Sequence, residues 1–421
     1  MTGFKKTILA SSMMLLSGQT FAAAFQLAEQ SVSGLGRAYA GEASVADDAS
    51  VVARNPALMS QLKGSQVSVA AMYVKPDVSL SGTSTNNGLS PAVLDSESIA
   101  PSAIVPAAFY TTDLGNDWYV GVGSYSQFGL ATEFEADYAP GQLAGETEIV
   151  TINTKFSVAY KFNNDLTVAL GVSHVYADAK ILRNFGASPT VIPSVTEAVN
   201  LSGDDHAYGW DVGLSYQLDE HNRLGVHYRS ETDVKFEGKF SNQLPAGVPF
   251  YGTQGQAFPG FVELTLPAIA EVSGSHQIDK KAALHYSVVW TGWSSFKTLA
   301  AQVEGRGTVF SKDENFSNSM RYAIGGDYKY NEHLKLRAGV AYDESPADRH
   351  HMSISIPDTN RTWFSFGGEY QLTTKSTIDL GVSILRGETQ NFVESDNLGQ
   401  QWGFESKGHA TVLGAQYNLQ F

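Results

Sequence analysis

From Met320 onward the chain alternates apolar and polar residues segment after segment, and it stops on an aromatic. In the last segment Thr411, Leu413, Ala415, Tyr417, Leu419 and Phe421 fall on one face, and Val412, Gly414, Gln416, Asn418 and Gln420 fall on the other. Successive side chains of a strand point to opposite sides, so one face suits hydrocarbon and the other a wet or ligand-lined interior. The pattern predicts a barrel wall bathed in lipid, and function has to be sought inside it.

Counting such segments along the chain predicts fourteen strands, at 67–74, 103–110, 118–126, 152–162, 166–176, 208–218, 224–236, 261–278, 282–296, 320–330, 334–342, 362–372, 378–386 and 409–421. Pro106 weakens the second, because proline cannot donate to a ladder. Six connections are short turns (near 112–117, 163–165, 219–223, 279–281, 331–333 and 373–377) and alternate with seven long loops. An even count with short turns at one end is the bacterial outer-membrane arrangement, with the turns and both termini toward the periplasm. The fold class expected is therefore all-β, a 14-stranded antiparallel transmembrane barrel. A soluble β-sandwich is the alternative, but it would have to bury the apolar faces of every strand in a two-layer core and gives no reason for the loop alternation.

Lys5 and Lys6 precede an apolar stretch and then Ala22, Ala23 and Ala24, which together read as a secretory signal peptide over 1–22. Beyond it no stretch has the length and apolarity of a membrane helix, so any membrane crossing must be built from strands. Charged residues are only 17%, below the ~25% of ordinary soluble domains, while Tyr and Phe are abundant, as aromatic belts require. A net charge of -15 excludes a basic nucleic-acid footprint. The chain has no cysteine, which rules out disulfides, thiolate metal sites and cysteine nucleophiles.

Residues 23–66 do not alternate, are rich in Gly, Ala and Ser, and carry Arg37, Glu42, Asp47, Asp48 and Arg54. A barrel of this width leaves a lumen, and a segment of this size and polarity is suited to plug it as a hatch, leaving 67–421 as the barrel. A periplasmic tail is the alternative. Asp47 and Asp48 are expected to accept hydrogen bonds or pair with Arg37 or Arg54.

Few motifs suggest chemistry. Gly34, Gly36 and Gly41 resemble a phosphate loop, but no strand precedes them and no Lys-Ser/Thr pair follows. His350 and His351 lack further ligands for an ion and read as solvated loop residues. No nucleophile elbow is present, so an outer-membrane lipid hydrolase has no motif behind it, and no cofactor is expected. Two features are more pointed. The third strand continues through Gln127, Phe128, Gly129, Leu130 and Ala131, and counting by twos puts Gly121, Gly123, Gly129 and Ala131 on the lumen side; glycine within a strand marks a bulge or kink. Counting by twos from Thr167 places Arg183 inward, a candidate carboxylate clamp.

These stretches resemble a known family, the long-chain fatty acid outer-membrane transporters typified by FadL. The likeness spans the mature chain and is carried by FQLAEQSVSGLGRAYAGEASVADDAS at the amino terminus, the tripeptide Asn55-Pro56-Ala57, IAPSAIVP, FGLATEF, HYRSE, LPAIAEVSG and SISIPD. It implies a fourteen-stranded barrel with the amino-terminal segment inside as a hatch, acting as a monomer in the outer membrane of a Gram-negative bacterium, among its lipid and lipopolysaccharide. It implies capture of a hydrophobic ligand in an apolar groove among loops 178–207 and 237–260, transfer to a pocket against the hatch, and sideways release beside a kink in strand three. Phe25, Arg183 and Lys312 resemble the family's ligand-binding residues; Asn55, Pro56 and Ala57 its hatch; Phe128, Gly129 and Ala131 its lateral opening. Lys312 is expected in a loop. The apolar content of the first groove loop, Val191, Ile192, Val195, Val199 and Leu201, is modest. Relatives that carry aromatic hydrocarbons are the alternative, but two cations in the pocket favour an acid.

Overall fold

A computed structural model describes residues 24–187, 192–247, 252–348 and 350–421. The expected signal peptide and Val191 lie outside the described residues. The wall consists of β1 (Gln66–Thr85), β2 (Ala103–Gly115), β3 (Trp118–Tyr125, then Gly129–Glu133), β4 (Glu146–Lys161), β5 (Leu166–Asn184), β6 (Glu197–Gln217) and β7 (Asn222–Arg229, then Thr232–Ser241). It continues with β8 (Phe258–Leu266, then Ile269–Gln277), β9 (Ala282–Thr291, then Thr298–Val303), β10 (Gly307–Asp313, then Ser319–Lys329), β11 (Leu334–Asp343), β12 (Arg361–Thr373), β13 (Ser376–Gly387, then Gln390–Ser395) and β14 (Gln401–Gln420). Each pairs antiparallel with the next, and β14 returns to β1 from Gln66↔Gln420 to Thr85↔Trp402, closing the fourteen-stranded barrel. Closure removes the unpaired edges that a membrane would not tolerate.

The outward face follows the predicted parity. Trp118, Phe162, Tyr216, Tyr330, Tyr370 and Phe421 form an exposed aromatic ring beside the short turns, and Tyr73, Tyr208, Trp210, Tyr322 and Tyr342 form a second toward the long loops. Leu170, Val172, Val272, Ile324 and Leu380 lie between, so the apolar band is bounded at both interfaces.

Many strands run past that band. β5 and β6 extend through most of the 178–207 region read as a loop, leaving only 185–196 between them, and β7 and β8 shorten 237–260 to 242–257. Above the membrane the outward face meets water, so the hydropathy period that marks a strand disappears while the ladder continues.

Pro106 does not interrupt β2. It faces outward, and β2 has no partner in β3 beyond Ala108↔Ser124, so at this level the missing donor faces a place where the ladder is already open.

Residues 24–65 precede β1 and lie in the lumen. They form short helical turns, Val32–Leu35, Val51–Arg54 and Pro56–Gln61, and Ser31 caps the first through the Gly34 N–H. Arg37, buried, reaches Asp47 and Glu42 of the same segment and Asp327 of β10, while Lys335 of β11 donates to Asp47 at 3.1 Å. Both carboxylates match expectation: Asp47 pairs with Arg37, and Asp48 accepts from the Ser33 hydroxyl at 2.8 Å. The wall makes room for this segment with glycine: a Cβ on Gly339 would stand 2.1 Å from the Arg37 carbonyl oxygen, and one on Gly213 2.1 Å from Asn55 Oδ1.

Candidate functional site

The third strand is broken where the sequence placed a kink. Tyr125 pairs with Asn153 and Gly129 with Val150, so four residue steps on β3 span three on β4. The extra residue reverses the parity. Tyr125 faces the lumen below the break and Leu130 and Thr132 face it above, so Gly129 and Ala131 sit on the outward parity, not on the lumen side that uninterrupted counting gives. Thr151 of β4 replaces part of the lost ladder, accepting from the Phe128 N–H at 3.0 Å and donating to the Phe128 carbonyl at 2.7 Å.

On its other side the break faces the amino-terminal segment. The Gly129 N–H donates to the Phe25 carbonyl (2.7 Å), the Leu27 N–H to the Gln127 carbonyl (2.8 Å), and Gln30 Nε2 to Gln127 Oε1 (2.9 Å). Above it, the Glu133 N–H donates to the Ile99 carbonyl at 2.8 Å. The opening between β2 and β3 is thus bounded below by Ala108↔Ser124, bounded above by Ile99 and Glu133, and closed by residues 25–30.

Phe25 is fully buried in an aromatic cage. Its ring lies edge-on to Trp293 (4.6 Å between centroids), Phe296 (5.5 Å) and Phe128 (6.1 Å), and Phe316 packs behind Trp293 and Phe296. Trp293 and Phe296 come from the interruption of β9, where a short 3-10 turn, Trp293–Ser295, dips into the lumen. Leu130, Ile149, Leu264, Leu299 and Ile356 extend the apolar surface.

Leu299 and Ile356 also line a cavity of about 80 Å³ that contains Arg183, Lys312, Glu314 and Glu394. The two cations named from sequence therefore meet, at the end of the aromatic cluster toward the long loops. Arg183 is inward, as parity predicted, and buried. It donates to the Glu146 and Leu182 carbonyls (2.9 Å each), Thr147 Oγ1 (2.8 Å) and Ser355 Oγ (2.9 Å). These partners are neutral, and among the described residues no carboxylate is ion-paired with it. Lys312 lies on the ladder of β10, opposite Leu299, and not in a loop. It is paired with Glu394, whose other oxygen accepts from the Ile354 N–H at 2.9 Å. Glu314, two residues on, lies above the apolar band in the break of β10. Burial pushes its carboxyl up to about 8, with Lys312 pulling the other way. Lys312 and Glu394 thus answer each other, while Arg183 has no ion-pairing carboxylate among the described residues.

Asn55, Pro56 and Ala57 are not part of this cavity. Asn55 Oδ1 accepts from the Ala57 N–H (3.1 Å), and its Nδ2 donates to the Ala43 carbonyl (2.7 Å) and to the Leu214 carbonyl of β6 (3.0 Å), fixing the segment to the wall. Of the expected groove residues, Val199 and Leu201 are buried on β6, whereas Val195 is exposed. Sequence reasoning missed Trp293, Phe296, Phe316, Glu314, Ser355 and Glu394. Gly292 in the middle of an alternating run was the signal for the inward turn.

The sequence region 13–421 matches the family described as outer membrane protein transport protein (OMPP1/FadL/TodX). The chain belongs to this family. Its relatives include a 47 kDa outer membrane protein of Pasteurella multocida, 42% identical over 99% of each chain. A long-chain fatty acid transport protein of Escherichia coli is 38% identical over 100% of this chain and 99% of the relative. The crystal structure of a Pseudomonas aeruginosa FadL homologue superposes with a TM-score of 0.86 at 22% identity, covering 95% of this chain and 100% of that one. Like other members of the OMPP1/FadL/TodX family, this barrel lies in the outer membrane of a Gram-negative bacterium and transports hydrophobic compounds, and the family is made up of transporters and channels, not enzymes.

Proposed function

We propose that the protein takes up long-chain fatty acids passively, holding the carboxylate at Arg183 and the chain along the Phe25 cage before releasing it sideways at the break in β3. The observation that carries this reading is Arg183, buried at the end of an apolar cleft on four neutral acceptors and, among the described residues, without an ion-pairing carboxylate. Arg183 has its hydrogen-bonding partners fixed in advance, so little ordering is needed when an anion arrives.

Capture is favourable and release is the obstacle. Removing a chain of ~16 carbons from water gains of order 10 kcal/mol at ~0.8 kcal/mol per methylene, which an aqueous exit would have to return. A side exit avoids this, because lipid tails solvate the chain as well as the cage does. Residues 25–30 both border the cage and close the opening, so a ligand that displaces Phe25 weakens the Gly129 and Gln127 bonds that keep it shut. The amino-terminal segment acts here as a hatch, and a concentration gradient suffices as driving force.

The cage is aromatic, which also suits a ring, so small aromatic hydrocarbons are the second reading. Uptake of labelled oleate and of toluene by cells lacking their own transporter but producing this chain tests both. Oleate uptake supports the first, and toluene uptake without oleate uptake replaces it with the second.

A further inference from the structure

The wall is open at a second place. Between β8 and β9 the ladder runs from Gln277↔Ala283 to Ile269↔Thr291 and resumes only at Val262↔Ala301. Residues 263–268 thus face 292–300 without paired positions; one backbone bond, from the Gly292 N–H to the Ala268 carbonyl at 2.8 Å, marks the lower limit. The break is built in by sequence: Pro267 interrupts β8, and the Trp293–Ser295 turn draws β9 inward.

A crevice of about 570 Å³ opens there, within the range of small-molecule sites. Its floor is Val234, Leu264 and Phe296, all buried and all members of the apolar cluster that contains Phe25. Its rim carries Lys235 and Lys297 among the carboxylates Asp205, Asp233 and Glu263. Lys235 pairs with Glu237 at 2.9 Å and lies over the Phe261 ring, and Lys297 donates to the Phe316 carbonyl at 3.2 Å. The crevice sits just beyond Trp210, Tyr228 and Trp290 on the outward face, at the level where aromatic belts mark the membrane–water boundary. Unpaired strand backbone is not tolerated in the hydrocarbon region, but it is at a wet, charged interface.

Phe25 stands between the two openings, 6.1 Å from Phe128 at the β3 break and 5.5 Å from Phe296 at the floor of this crevice. From this arrangement we infer that the gap between β8 and β9 is a lateral loading site for single-chain carboxylate amphiphiles of the outer leaflet. The carboxylate stays at head-group level beside Lys235 and Lys297, and the chain lies over Val234 and Leu264 against Phe296. Rotation of the Phe296 ring then joins this site to the Phe25 cage. The inference rests on the fatty acid reading and adds a route from the membrane surface into the same pocket.

The absence of cysteine allows a reversible test on the full-length mature protein. Thr265 lines the crevice, and its hydroxyl donates only to Asp233 at the surface, so Thr265→Cys is suited to carry a bulky methanethiosulfonate label after folding. The protein is placed in vesicles of phosphatidylethanolamine and phosphatidylglycerol. Quenching of the slow, buried tryptophan signal by doxyl-stearate is followed with the probe either inserted in the outer leaflet or added from water. The label slows the membrane-delivered phase about fivefold, leaves the water-delivered phase within twofold, and loses its effect on reduction; the same label on Ser202→Cys, exposed on β6, does nothing. An unchanged membrane-delivered phase overturns the loading site while sparing fatty acid binding. Absence of both phases in the unlabelled protein overturns the fatty acid reading and this inference with it.

Discussion

The Gly129 N–H donates to the Phe25 carbonyl at 2.7 Å, so the residue at the break in the wall and the residue at the heart of the aromatic cage are joined backbone to backbone. The bond belongs to a short stretch of pairing, with Gln26 bridged to Phe128 and Leu27 bonded to Gln127, in which the amino-terminal segment substitutes for a strand neighbour that β2 does not provide. Whatever moves Phe25 therefore acts on the opening directly.

Filling that opening separates passage from binding. Gly129→Trp combined with Ala131→Trp puts two large rings on the outward parity at the break. Oleate uptake by cells is expected to fall at least about tenfold, and binding to the purified protein to stay within about threefold. Uptake at the parent rate would mean that ligand leaves elsewhere.

Arg183→Ala removes a cation of the cavity that has no ion-pairing carboxylate among the described residues. Hydrogen bonds to a charged group contribute roughly 1.5–3 kcal/mol, so oleate affinity is expected to drop by about ten- to a hundredfold. Oleyl alcohol, of the same length but uncharged, should lose less than about threefold in the same titration. Equal losses would show that Arg183 holds the loops and not a head group, since it also ties β4 to Ser355.

The sequence made the wall legible because lipid outside and water inside force a period of two, and nothing else in the chain imitates it over fourteen segments. Inward placement of Arg183 survived eight steps of two from Thr167 because β5 keeps one register with β4 throughout, from Lys161↔Thr167 to Glu146↔Leu182. The same counting failed at Gly129, where a single extra residue exchanged the faces. Lys312 looked like a loop residue because, above the membrane, both faces of a strand meet polar surroundings and hydropathy no longer distinguishes ladder from loop. The cage was least legible: Trp293 and Phe296 occur in a stretch that reads as ordinary wall, and only the inward turn beyond Gly292 brings them to Phe25.

If the cavity holds a carboxylate as proposed, Glu314 is expected to make its binding depend on pH. Burial holds its carboxyl near 8, so at pH 7 it is mostly protonated and can donate to a bound carboxylate, whereas by pH 9 it is ionised and opposes one. Oleate affinity is expected to fall as pH rises from 7 to 9, and Glu314→Gln should flatten the profile at the value found near pH 7. The linkage to stability has the same sign. The folded chain keeps this proton between the ordinary glutamate range and about 8 while the unfolded chain has lost it, so the contribution falls with rising pH across that window and Glu314→Gln removes the fall. A wild-type profile matched by the glutamine variant would place the titrating group elsewhere.

Arg37 anchors the amino-terminal segment to β10 and β11. Its guanidinium meets Glu42, Asp47 and Asp327, and its carbonyl lies against Gly325 and Gly339, so segment and wall share both charge and close backbone contact. Arg37→Ala leaves Asp47 and Asp327 buried with fewer partners, a loss of roughly 3–5 kcal/mol for a buried pair broken on one side. Lys335 still reaches Asp47 at 3.1 Å, and His285 Nε2 lies 3.2 Å from Asp327, so the barrel itself is expected to fold and insert while the segment detaches. Detachment unblocks the lumen: planar bilayers should show a raised ionic conductance for Arg37→Ala, little change for Arg37→Lys, and new protease sensitivity within residues 24–65. A variant that stays closed in the bilayer would mean that the Asn55 bonds to Ala43 and Leu214 hold the segment without the arginine.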